Sequence, residues 1–195
     1  MDIQIKGIND NPNNFQKDLV DIFVEGFHGD FLSFYHDKNI LKELFATSFS
    51  LDSFFIAYMD NKAVGIIIYS DNRKRALSIN KERFIEYLGE STGIYAYEMM
   101  HKEFLKPLDY PNGTAYIETI ITSAEVRGKG VAKKLTSYLF ESTDYSEFIL
   151  EVGDTNEIAV NLYKKLGFVE FERKKEPFPK ETGFNERLFM KKIIQ

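Results

Sequence analysis

Along this chain the apolar positions change rhythm several times, and each change marks a predicted element. Met1–Ile8 alternates weakly, as an opening strand does, while Phe15–Val24 and Asn39–Phe45 carry apolar residues at helical spacing. Phe54–Met59 and Ala63–Tyr69 are two apolar, β-branched runs separated by Asp60-Asn61-Lys62, the pattern of a β-hairpin. Ala115–Thr122 predicts a further strand, and Val131, Leu135, Leu139 and Phe140 predict the helix after it. Phe148–Val152 reads as a short buried strand closed by a Gly153-Asp154-Thr155 turn. Ile158 or Ala159, Leu162 and Leu166 then form a helical stripe, with Thr155 or Asn156 able to cap its start and Gly167 placed to end it. Val169–Arg173 and Arg187–Lys191 predict the last two strands.

From Ser70 to Gly113 lies a segment too long to be a structureless loop in a compact domain. Within it Arg83–Leu88 and Tyr95–Leu105 look helical, and Pro107, Pro111 and Gly113 break the pattern. The residues alone fit a helical flap beside a cleft as well as a stabilising appendage or a dimer surface.

Chemistry enters at Arg127-Gly128-Lys129-Gly130-Val131-Ala132, between a predicted strand and a predicted helix. The first N–H groups of a helix lack intrahelical partners and its dipole is positive there, so an anion is favoured. Glycines let the backbone approach that anion without a Cβ in the way. An ordinary strand–loop–helix connection would have the same outline. Val131 and Ala132 after the second glycine exclude a P-loop, and Lys133 stands where the dinucleotide fingerprint needs glycine.

The pattern that does fit is Q/R-x-x-G-x-G/A, read from Arg127 through Gly130 to Ala132. It resembles the acetyl-CoA-binding motif of the GCN5-related N-acetyltransferase (GNAT) superfamily. A second segment, Asn156 to Phe168, is similar to that family's N-x-x-A-x-x-L-Y-x-x-x-G-F at every fixed position. The order of predicted elements also resembles the family's. The resemblance is clear from about Phe54 onward, apart from the insertion at 70–113, and weaker before that. It implies one N-acetyltransferase domain over residues 1–195, of α/β (α+β) class. A mixed central sheet of about six to seven strands would be flanked by helices, with the helical insertion before the motif strand.

The resemblance also implies roles. The main chain of Ile120, Ile121 and Thr122 would run beside the pantetheine arm of acetyl-CoA. Arg127, Gly128, Lys129, Gly130, Val131, Ala132 and Lys133 would hold the pyrophosphate, Arg127 by adding a charge or by orienting the loop. Asn156 would contact the cofactor arm, cap its helix, or both, and Tyr163 would point its hydroxyl at the sulfur as general acid. For the base the expectation is Glu118, from strand alternation. Tyr116, Glu118, Ile120 and Thr122 would share one face, where a carboxylate is costly unless it meets a wet cleft. A gapless count from the motif puts Tyr116, not Glu118, where a related histone-modifying group has its catalytic glutamate. Glu118 is thus expected either as base or as an orienting group, with water taking the proton. The implied reaction is direct attack of a primary amine, of a small molecule or a peptide, on the thioester in a ternary complex. The alternative is a catalytically silent protein of the same fold that binds acetyl-CoA or CoA as sensor or scaffold.

Composition narrows the setting. The chain has 195 residues, a formal charge of −5 and no cysteine, so it needs neither disulfides nor metal to build a core and has no cysteine nucleophile. His28, His36 and His101 are scattered, without metal-ligand spacing, so no metal is expected. The acidic balance argues against nucleic acid as partner. With no cysteine, no secretory apolar segment and no run of about 18 apolar residues, a cytoplasmic protein without membrane partners is expected; monomer and homodimer are both open.

Overall fold

The computed structural model describes residues 2–11 and 13–194. Seven strands, β1 (Ile3–Lys6), β2 (Phe54–Met59), β3 (Lys62–Ser70), β4 (Thr114–Thr122), β5 (Glu147–Gly153), β6 (Val169–Lys175) and β7 (Glu186–Ile193), form one sheet in the order β1-β2-β3-β4-β5-β7-β6. Only β4 and β5 run parallel; all other neighbours are antiparallel. The mixed sheet between helices is the α/β class expected from the sequence. Among the described residues no helix is long and apolar enough to cross a membrane.

The helices divide between the two faces. On one lie α1 (Phe15–Phe31), α2 (Lys38–Phe45), α3 (Lys81–Leu88) and α4 (Glu90–Phe104). Their buried Phe23, Phe31, Phe45, Phe84 and Phe104 join Phe54, Ile56, Ile66 and Ile68 of the sheet in one core. On the other lie α5 (Val131–Ser142) and α6 (Glu157–Lys165), whose Val131, Leu135, Leu139 and Val160 pack with Ile67, Ile117, Phe148 and Leu150. The short α7 (Pro179–Thr182) precedes β7.

Several boundaries move for physical reasons. The β2–β3 hairpin turns on Asp60 and Asn61 alone, both left-handed (φ 49° and 62°), the form a two-residue turn prefers. Lys62 therefore belongs to β3. Helix α1 continues past Val24 through Gly26, where a Cβ would stand 2.5 Å from Ile121 Cγ2. Helix α1 lies so close to β4 there that tertiary packing overrides glycine's low helix propensity.

The insertion supplies α3 and α4, and both belong to the first core. Phe84 is edge-on to Phe45 at 5.9 Å and Phe104 to Phe27, also at 5.9 Å. At its far end Glu103 and Phe104 line a cavity together with residues of β4 and β5. A Cβ on Gly93 would meet the backbone of Phe84 and Ile85 at 2.5 to 2.7 Å, so α4 rests directly on the α3 main chain. Gly93→Ala is expected to force these helices apart and destabilise the fold by about 1–3 kcal/mol in urea titrations. An unchanged midpoint would contradict that contact.

Candidate functional site

Strands β4 and β5 pair only from Thr114–Glu147 to Ile117–Leu150. Beyond that, β4 continues to Thr122 on β3 and β5 continues to Gly153 on β7, but not on each other. The change coincides with a bulge: Tyr69 faces Ile117 and Ile68 faces Thr119, so Glu118 is the extra residue. A bulge increases local twist, which swings the end of β4 away from β5. The result is a wedge whose wall, from Glu118 to Thr122, presents unpaired strand backbone. Such an edge accepts an extended ligand by strand addition.

The same strand leads into the glycine turn. Gly128 (φ 76°) and Gly130 (φ 83°) are left-handed, and a Cβ on either would touch nothing within 4 Å. Open space, not packing, surrounds this turn. The backbone N–H groups of Gly128, Gly130, Val131, Ala132 and Lys133 have no hydrogen-bond partner among the described residues; the next donor, Lys134, bonds Gly130 at 3.0 Å. Arg127, Lys129 and Lys133 are exposed, and none of the ion pairs among the described residues involves them. Free donors, a helix N-terminus and three unspent cations make a cradle for a polyanion.

Helix α6 brings Asn156 and Tyr163. Asn156 Oδ1 accepts the Ala159 N–H at 3.2 Å, so this residue caps the helix, leaving its amide NH2 for other contacts. The Tyr163 ring packs at 5.8 Å, edge-on, against Phe168 in the second core. Burial alone pushes its phenol up to about 12. The hydroxyl therefore keeps its proton and serves as a donor throughout the neutral range.

The bulge corrects the expected alternation. Ile120 packs with the α5 side and Ile121 with the α1 side, so Glu118 and Ile120 do not share a face. Glu118 and Tyr116 instead line a cavity of about 190 Å³ at the vertex of the wedge, with Glu103, Phe104, Glu151, Val152, Gly153, Phe184 and Arg187. Glu118 is 4% exposed and is gripped by Arg75, itself 12% exposed. Arg75 Nε and Nη2 donate to its two oxygens at 2.8 Å each, and Ser70 Oγ donates to Oε1. Arg75 also donates to the carbonyl of Lys106, tying both ends of the insertion to the bulge. Burial raises the Glu118 carboxyl above the ordinary range despite the Arg75 and Ser70 contacts. A carboxylate offers about four acceptor sites, and these contacts use two on Oε1 and one on Oε2.

Glu151, on β5, was not foreseen. Its Oε1 accepts the Tyr116 hydroxyl at 2.6 Å and lies 3.2 Å from Arg187. The gapless count that ends on Tyr116 thus ends on a residue that holds a glutamate delivered by the neighbouring strand. Alternation along β5 was the available signal: Phe148, Leu150 and Val152 enter the second core, which turns Glu151 to the other face. Arg75 had none, since only tertiary folding carries it to β4.

No curated protein sequence matches the chain. Among solved structures, it superposes on the ribosomal-protein-S18-alanine N-acetyltransferase of Escherichia coli with a TM-score of 0.58 and 14% identity, covering 100% of this chain and 95% of that one. Ard1 of Thermoplasma volcanium gives 0.60 and 17% over 100% and 99% of the two chains. An N-acetyltransferase of Staphylococcus aureus gives 0.58 and 19% over 97% and 100%. Such identities speak for the fold alone. The family model of the acetyltransferase (GNAT) family matches residues 17–168, so with its wedge, cradle and mixed sheet this chain belongs to the GNAT family of acetyltransferases.

Proposed function

We propose that this protein is an acetyl-CoA-dependent N-acetyltransferase acting on a primary amine by direct attack in a ternary complex. The observation that carries this reading is the course of the chain from a buried carboxylate, along the unpaired edge of β4 and through one 3-10 turn (Ala124–Val126), to five free N–H groups between Gly128 and Lys133. The pyrophosphate would take the Gly128–Lys133 donors, with charge from Arg127, Lys129 and Lys133. The pantetheine amides would extend the sheet along Ile120, Ile121 and Thr122, and the Asn156 amide would add a contact from α6. Acetyl-CoA supplies an activated acyl group.

The residues of this chain then manage protons. An alkylammonium has an ordinary pKa of about 10.4, so almost none of it is neutral at pH 7. Glu118 receives the surplus proton, directly or through water, on the acceptor site that Arg75 and Ser70 leave open on Oε2. The raised carboxyl value makes it a better acceptor than an exposed glutamate. As the C–N bond forms and the C–S bond breaks, charge builds on sulfur, where the Tyr163 hydroxyl stabilises it, and the second proton lost by the nitrogen ends on the departing thiolate, giving the CoA thiol. A thiol near 8.5 is a stronger acid than a phenol near 12, so Tyr163 acts chiefly as a hydrogen-bond donor. The second reading, a silent CoA-binding sensor or scaffold, is favoured by the grip of Arg75 on Glu118. Binding of acetyl-CoA without turnover on any amine would establish it.

Three outcomes follow from the assigned roles. Gly130→Ala forces a side chain into a left-handed position at a cost of about 1–2 kcal/mol, without a packing clash. It is expected to weaken acetyl-CoA binding about tenfold in calorimetry, with the circular dichroism spectrum retained; wild-type affinity would remove the cradle from the site. Tyr163→Phe should lower kcat on the order of 100-fold with little change in acetyl-CoA affinity. Because its phenol titrates far above neutrality, that loss should be uniform from pH 6 to 9; unchanged turnover would overturn its role. Glu118 is a useful base only when ionised, above its raised titration, so wild-type activity falls as pH drops through that range. Glu118→Gln should lag wild type most in the window between the Glu118 titration and that of the amine, and converge with it below that window, where Glu118 is protonated, and above it, where the amine deprotonates itself. A profile parallel to wild type would exclude Glu118 as base.

A further inference from the structure

Resting on the acetyltransferase reading, the lining of the wedge cavity names the class of acceptor. The cavity is placed at the reacting centre by the parting of β4 and β5, and its charges are unequally shared. Glu118 has Arg75 to itself. Arg187 Nη2 lies 3.3 Å from Glu176, which is 6% exposed and is not among the residues lining the cavity. The same guanidinium is the sole cation within ion-pair distance of Glu151, at 3.2 Å, and of Glu103, at 3.7 Å, among the described residues. Four carboxylates therefore share two guanidinium groups, and the two left without a cation of their own, Glu103 and Glu151, both face the cavity. Arg187 lies within ion-pair distance of three carboxylates, so its single charge is already shared before an acceptor arrives. The remaining wall is Val152, Gly153 and the aromatic residues Tyr116, Phe104 and Phe184, the last already carrying the Arg187 guanidinium over its ring at 5.2 Å.

We propose that the acceptor is an unbranched alkyl diamine or polyamine, its reacting amine at Glu118 and a second ammonium held between Glu103 and Glu151. A volume of about 190 Å³ suits a short aliphatic chain. A second positive charge is what the two unshared carboxylates lack. An amino acid, by contrast, would bring a carboxylate into a cavity already in negative excess.

The test compares 1,4-diaminobutane and spermidine with butylamine and a neutral peptide bearing a free N-terminus. Two readouts are needed, initial rates with acetyl-CoA and calorimetric binding of each amine to the protein·CoA complex. Diaminobutane is expected to exceed butylamine in kcat/KM by about 100-fold and to bind the CoA complex more tightly. Glu103→Gln lies at a well-exposed position (58% side-chain exposure) and leaves the core intact. It should cut that diamine-to-monoamine ratio about tenfold, chiefly through KM, and Glu151→Gln should cut it likewise. Equal use of butylamine, preference for the peptide, or a ratio unmoved by both variants would overturn the acceptor class while leaving the acetyltransferase reading intact. Charge-dependent diamine binding without any acetyl transfer would do the reverse, sustaining the ligand class and overturning the reaction.

Discussion

Backbone donors and acceptors in a sheet need partners, and β4 and β5 satisfy that need together over only four residues. Past Ile117 and Leu150 each strand keeps its outer neighbour, β3 or β7, and gives up the inner one. The bulge at Glu118 concentrates the twist at the point where they part. The unpaired edge, the vertex cavity and the approach to the glycine turn all follow from this one departure from regular pairing. The strand edge left unpaired inside the sheet must take its hydrogen-bond partners from water or from something extended laid along it.

Two cores make that departure tolerable. Each face of the sheet has its own buried layer, so β4 and β5 are held from outside by α1 and β3, or by α5 and β7. The insertion contributes to the first core through Phe84, Met100 and Phe104 and then reaches the vertex through Arg75 and Glu103. A buried bidentate pair such as Arg75–Glu118 is not in itself stabilising, because both charges lose water. Its value is positional: it ties the insertion to the bulge and leaves one acceptor site of Glu118 toward the cavity.

Much of the layout was legible in the residues. The hairpin, the motif strand, the helix after it and the capped helix at Asn156 are local, set by hydrophobic period, turn chemistry and capping, and they stand within one or two residues of where the pattern puts them. Helix α1 ran on through Gly26 because Ile121 accepts it there, a contact no local rule contains. Alternation failed at Glu118 for a similar reason: a bulge is a relation between two strands, and a period-two reading of one strand cannot register it. Glu151 was readable from its own strand, yet its meaning depended on Tyr116 and Arg187, which arrive from two other strands.

The amino-acid sequence alone determined the elements, the family resemblance and the anion-friendly turn, because glycine conformations, helix starts and apolar periods are properties of neighbouring residues. Only the tertiary structure decided the parting of β4 and β5, the capture of Glu118 by Arg75 and the negative excess at Glu103 and Glu151. Those are sums over residues far apart in the chain, and a local charge or hydrogen-bonding group acquires its chemistry from whichever partners the fold sets against it.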